Sequence, residues 1–122
     1  MEKDVIFNRA KELCLRVIRM AVHLPETFVS EFIIEQLTRA SAFIGIHYNA
    51  SCRADSMAEA IEKLKLAIED AHELLFWFEI IEGSEMIKSE RLVALKQETG
   101  ELILLYEAEL KLFAVPKSRK KG

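Results

Sequence analysis

Glycine and proline are scarce in this chain, with four and two among 122 residues. Hairpins draw on both for their turns, so a sheet-rich fold with many hairpins is excluded. The two cysteines, Cys14 and Cys52, fall in no metal-ligand spacing and are too few for a disulfide framework. No segment approaches the roughly 20 apolar residues that cross a bilayer, and the run Leu74–Ile81 is short and contains Glu79. Met1-Glu2-Lys3-Asp4 opens the sequence without the features of a secretory signal. A reduced, soluble, cytoplasmic protein is the expectation. Basic charge is also thin on the body. Four of the 17 basic residues are Lys117, Arg119, Lys120 and Lys121, which leaves 13 against 20 acids elsewhere. That balance argues against a body built to grip nucleic-acid phosphates.

What the chain has in quantity is apolar residues at helical spacing. They make up 51% of it, beside 30% charged residues, as expected of one globular domain. Four helices are predicted, at about residues 4–23, 27–50, 56–82 and 89–114, within a single domain over 1–116. In the first, Ile6, Ala10, Leu13, Val17, Met20/Ala21 and Leu24 form the buried stripe, Asp4 offers a cap, and Pro25 forbids continuation. Thr27 caps the second. Ser51 to Asp55 reads as the next connection. Ser56 and Glu59 make a capping box for the third helix, whose stripe reads Ile61, Leu64, Ile68, Ala71, Leu75 and Phe78. Gly83 is suited to a left-handed helix end, and Ser89 to capping the fourth helix. That helix carries Leu92, Leu95, Thr99, Leu102, Tyr106, Leu110 and Phe113, and its Gly100 suggests a close contact. Short connections between helices of similar length predict an all-α, up-down-up-down antiparallel four-helix bundle. Residues 117–122 read as a basic, disordered tail.

The stretch Gln36 to Tyr48 is apolar around more than one face. Leu37, Ala40, Ile44 and His47/Tyr48 follow one stripe, while Phe43, Ile46 and Ala50 follow another. The third helix repeats this in Leu74 to Ile81. Phe43, Ile46, Phe76, Trp77 and Ile80 therefore lie outside the narrow seams. Either the core is generous, or these residues are the interface of a homo-oligomer, which is the reading preferred here.

Catalytic chemistry finds little support. Glu69-x-x-His72 has the helical spacing of a di-iron bundle, but no second copy exists, and a solvated face is the simpler reading. No metal or cofactor is expected. There is no glycine-rich phosphate loop and no nucleophile with a supporting base, so an enzyme is not expected. Cys14 suits packing; Cys52 has only Arg53 near it in sequence to activate a thiol. His47 is either a neutral, hydrogen-bonded histidine or a pH-sensitive contact between subunits. An antiparallel second and third helix would bring Arg39 level with Glu69 and Glu73, as an ion pair that fixes register. Lys117, Arg119, Lys120 and Lys121 are candidates for contact with nucleic acid or an acidic partner.

Gln36-Leu37-x-Arg39-Ala40-Ser41-x-x-Ile44-Gly45-x-x-Tyr48 resembles the second-helix signature of a family of bacterial four-helix bundle proteins encoded in 23S rRNA intervening sequences. Ile61-x-Lys63-Leu64-x-x-Ala67, Glu73-x-x-x-Trp77-x-Glu79 and Glu98-x-x-Glu101-Leu102 continue the likeness along the chain. The resemblance implies a four-helix bundle, assembly into ring-like homopentamers and no enzymatic activity. A more distant relative, the accessory variability determinant of diversity-generating retroelements, has a basic surface and works with a reverse transcriptase and RNA. This chain departs from that relative in its acidic body, and it carries His47 where the family often has Asn and Asn49-Ala50 where a basic-acidic pair is common. The leading expectation is a non-catalytic, homo-oligomeric scaffold or adaptor, with an unidentified protein partner possible. The alternative is an accessory protein of RNA or another nucleic acid.

Overall fold

The structure is a computed structural model that describes residues 2–114. Four helices follow one another: α1 (Lys3–Ala21), α2 (Phe28–Cys52), α3 (Met57–Gly83) and α4 (Glu90–Phe113). They form an antiparallel, up-down-up-down bundle in which α1 packs on α2, α2 on α3, α3 on α4, and α4 back on α1. The basic tail over 117–122 lies outside the described residues.

Local chemistry sets most of the boundaries. Thr27 Oγ1 accepts from Ser30 N at 3.1 Å and starts α2. Ser56 Oγ accepts from Glu59 N at 3.1 Å and starts α3, the hydroxyl half of the expected box. Three expected ends differ. Glu2, not Asp4, occupies the cap position of α1, and Asp4 sits in the first turn where its charge still favours the helix dipole. Ser89 stands at the start of α4 in a helical backbone conformation, so its side chain makes no cap bond. The left-handed residue after α3 is Glu85, with φ 60°, while Gly83 is still helical. The helix α2 also runs through Ser51 and Cys52, because Ser51 Oγ bonds the Ala60 carbonyl at 2.7 Å and holds the last turn against α3.

The core forms where the four stripes converge. Every residue of the α1 stripe is buried. In α3 the buried positions are Ala60, Leu64, Ala67, Ala71, Leu74, Phe78 and Ile81, so Ala60, Ala67 and Leu74 take the places expected for Ile61, Ile68 and Leu75, which are half-buried, and Ile81 extends the stripe. At the centre Tyr48 of α2 and Tyr106 of α4 reach across the bundle and stack, with centroids 4.6 Å apart and planes within 2°. Tyr106 donates to the Ile44 carbonyl at 3.1 Å. Tyr48 Oη is buried and makes no hydrogen bond among the described residues.

Each seam has its own tie. Arg9 of α1 donates to both carboxylate oxygens of Glu98, at 2.9 and 2.7 Å, and to Glu101 at 2.8 Å, which joins α1 to α4. Lys96 donates to Glu82 at 3.0 Å across α3 and α4, and holds that carboxyl below its ordinary range. The seam of α1 with α2 relies on small residues: a Cβ on Gly45 would lie 3.5 Å from Ala10 Cβ. The close contact expected at Gly100 is absent, since nothing lies within 4 Å of where its Cβ would stand.

Candidate interaction surfaces

The outer face of α2 and α3 carries a ridge of aromatic residues. Phe32 meets Trp77 edge-on with centroids 5.9 Å apart, and Trp77 meets Phe76 edge-on at 5.1 Å. Such edge-to-face geometry is favourable between aromatic quadrupoles. Yet Phe32 is 53% exposed, Phe76 52% and Ile80 39%, while Trp77 is half-buried. Phe28, one turn before Phe32, is 87% exposed. A contiguous apolar surface of this kind marks an interaction site on a soluble protein.

Beside the ridge, Glu73 holds Trp77 and Arg39 together. Arg39 Nη2 donates to Glu73 Oε2 at 3.0 Å, and Trp77 Nε1 donates to the same oxygen at 3.2 Å. Arg39 also donates to Gln36 at 3.0 Å; Glu69 is exposed and joins no ion pair among the described residues. Toward the other end of the same face, Phe43 is half-buried and stacks on His47 with centroids 5.0 Å apart. His47 Nδ1 lies 2.6 Å from Asp70 Oδ2, with both side chains largely covered. Burial pushes the Asp70 carboxyl above its ordinary range, and the His47 hydrogen bond opposes that rise.

A different surface lies between α1 and α2. It is a groove of about 540 Å³ with a floor of Ala10, Ala42 and Gly45. Phe7, Leu15 and Ile46 form its walls, and Leu15 and Ile46 are 47% and 53% exposed. Lys11, Asn49 and Arg53 stand at its rim, and no carboxylate lines it. Small floor residues make the groove, because a larger side chain at any of them would fill it.

The cysteines sit close to the core. Cys14 lines the groove with its sulfur 3.6 Å from Ser41 Oγ. Cys52 packs against the core, and burial raises its thiol above the ordinary value, which lowers its thiolate fraction. Glu69 and His72 are both exposed on α3. Among the described residues no three His, Cys, Asp or Glu side chains gather as a metal-binding group. Among the described residues no helix is long and apolar enough to cross a membrane.

One polar cluster stands on the α1–α4 side. Arg16, Arg19 and Arg91 line a shallow recess over Met20 and Leu95. Arg19 pairs with Glu12 at 3.3 Å; Arg16 and Arg91 have no carboxylate partner among the described residues. This cluster, the Asp70 partner of His47 and the Arg9 tie were all missed by sequence reasoning. The tie had one visible trace, because Glu98-x-x-Glu101 belongs to the family pattern.

The family described as 23S rRNA-intervening sequence protein matches residues 2–107. The chain belongs to that family. A solved structure with the same fold is a protein of unknown function from the S23 ribosomal protein family of Bacteroides thetaiotaomicron. It is 24% identical, with a TM-score of 0.83 over 91% of this chain and 99% of that one. That likeness carries the four-helix architecture and nothing about activity. No curated protein matches the chain. Within the 23S rRNA-intervening sequence family, then, this member is an acidic bundle with two distinct apolar faces.

Proposed function

We propose that this family member is a non-catalytic scaffold or adaptor that works in the cytoplasm as a homo-oligomer, a ring of five copies as the family resemblance implies. The observation that carries the reading is the aromatic ridge. Phe32, Phe76 and Ile80 stay exposed beside the half-buried Trp77 in a single copy, Phe43 continues that face on α2, and Ile46 is exposed in the α1–α2 groove. Covering that surface favours association by about 25 cal/mol for each Å² of apolar area removed from water. Light scattering on the purified protein tests it. A mass near five times the 14.0 kDa chain is expected, and a monomer at micromolar concentration would remove the reading.

A second reading, association with RNA or another nucleic acid, is favoured by the arginine recess. A half-buried Arg16 without a protein carboxylate is suited to a phosphate, and Arg91 lies beside it. Lys117, Arg119, Lys120 and Lys121 would add to such a contact. A gel-shift titration at low salt tests this reading. Retardation that weakens with salt and is lost in Arg16→Glu/Arg91→Glu supports it, and no retardation at low salt eliminates it.

A further inference from the structure

The ridge and the groove are complementary in three respects. The ridge is convex and aromatic, and the groove is concave and apolar, with a floor of small residues that leaves room for large side chains. Their charges also oppose. Glu73 and Glu79 each lie three positions from Phe76 along α3, while Glu31 and Glu35 follow Phe28 and Phe32 by three along α2. These positions share a helix face with the aromatic residues. Arg39, the one arginine of that face, is already paired with Glu73. The groove rim carries Lys11 and Arg53. An acid-flanked ridge therefore has a base-rimmed receptor on the same molecule, on a different face.

We propose that the ridge of one copy docks into the α1–α2 groove of the next, with Phe76 and Ile80 packing against Leu15 and Ile46, and with glutamates of the ridge facing Lys11 and Arg53. This deepens the self-assembly reading above and rests on it. The contact is heterologous, because two unlike patches meet. The two faces share α2 and look outward in directions roughly a right angle apart, as neighbouring faces of a four-helix bundle do. Two copies so oriented cannot exchange both contacts at once, so the second copy's free ridge takes a third copy. Successive turns of that kind, where the rotation closes, make a ring. Opposed charges at the rim add orientation and exclude ridge-to-ridge pairing, where glutamates would meet glutamates.

The test uses two variants of the full chain, Ile46→Asp in the groove and Phe76→Asp on the ridge. Both residues are more than half exposed, so helical circular dichroism is expected to be unchanged in each. Each variant alone is expected to fall to a monomer of 14.0 kDa. Mixed, they are expected to form a one-to-one dimer, since the first keeps an intact ridge and the second an intact groove. The remaining pair of faces carries an aspartate on each side and stays apart, so growth stops at two. A monomeric wild type overturns the self-assembly reading and this proposal with it. A multimeric wild type whose variants keep its mass overturns the assignment of faces alone. Monomeric variants that do not combine when mixed overturn the heterologous pairing alone.

Discussion

Tyr48 and Tyr106 stack ring on ring, but only one of the two hydroxyls is satisfied. Tyr106→Phe is expected to lower stability by about 1 kcal/mol, because it deletes the bond to the Ile44 carbonyl. Tyr48→Phe is expected to raise it by up to about 1 kcal/mol, since a buried hydroxyl without a partner carries only its desolvation penalty. Urea unfolding of both variants checks the opposite signs. At Asp70 the issue is pH. Burial raises the pH at which it ionises in the folded state above that of the unfolded chain, so the folded state holds the proton more tightly. The stability associated with that proton is present at acid pH and is lost as pH rises from the ordinary carboxylate range through the folded value. Asp70→Asn cannot titrate, and an amide oxygen can still accept from His47. The melting temperature of the wild type relative to Asp70→Asn should therefore fall as pH rises from the ordinary carboxylate range. A constant or rising difference would contradict the assignment.

At the scale of the element, the helices differ in how they start. Thr27 and Ser56 each accept a backbone N–H that is otherwise unpaired, whereas Ser89 accepts none. Replacing Thr27 or Ser56 by Ala is expected to cost about 1 kcal/mol, and replacing Ser89 less than about 0.5 kcal/mol, measured by thermal or urea denaturation. The same contrast explains what was legible in the sequence. The α1 stripe could be read residue by residue because polar positions separate its apolar ones and fix the phase. In α3 the run from Leu74 to Ile81 is apolar nearly all round, so periodicity left the phase open and Leu75 was placed where Leu74 packs. Cap chemistry at Thr27 is local and therefore readable. The charge ties are not local: Arg9 with Glu98 and His47 with Asp70 depend on the register in which helices far apart in sequence come together. Arg39 and Glu73 could be placed side by side only after an antiparallel pair had been assumed.

For the molecule as a whole, the unused surface is the most informative property. The core is complete within one copy, with the two tyrosines filling its centre, so the exposed ridge is not a deficiency of folding. Trp77 is the single tryptophan and lies on that ridge, which makes it a reporter of association. If copies cover the ridge, dilution is expected to shift Trp77 emission to the red and to increase its quenching by acrylamide. Phe76→Asp should show the dilute-state spectrum at every concentration. A spectrum independent of concentration, alongside a multimeric mass, would place the contact elsewhere.

The first and last helices begin and finish at the same pole, where the Lys3 ammonium lies 6.0 Å above the ring of Phe113. Nothing topological therefore requires the chain to be cut where it is. A short glycine-serine bridge could join those neighbouring points, and fresh termini could be opened in the exposed Arg53–Ser56 connection. The rearranged polypeptide would keep every packed seam and present its ends still at that pole, next to Arg53 and the mouth of the groove. Fused tags there would become steric wedges against a neighbouring molecule.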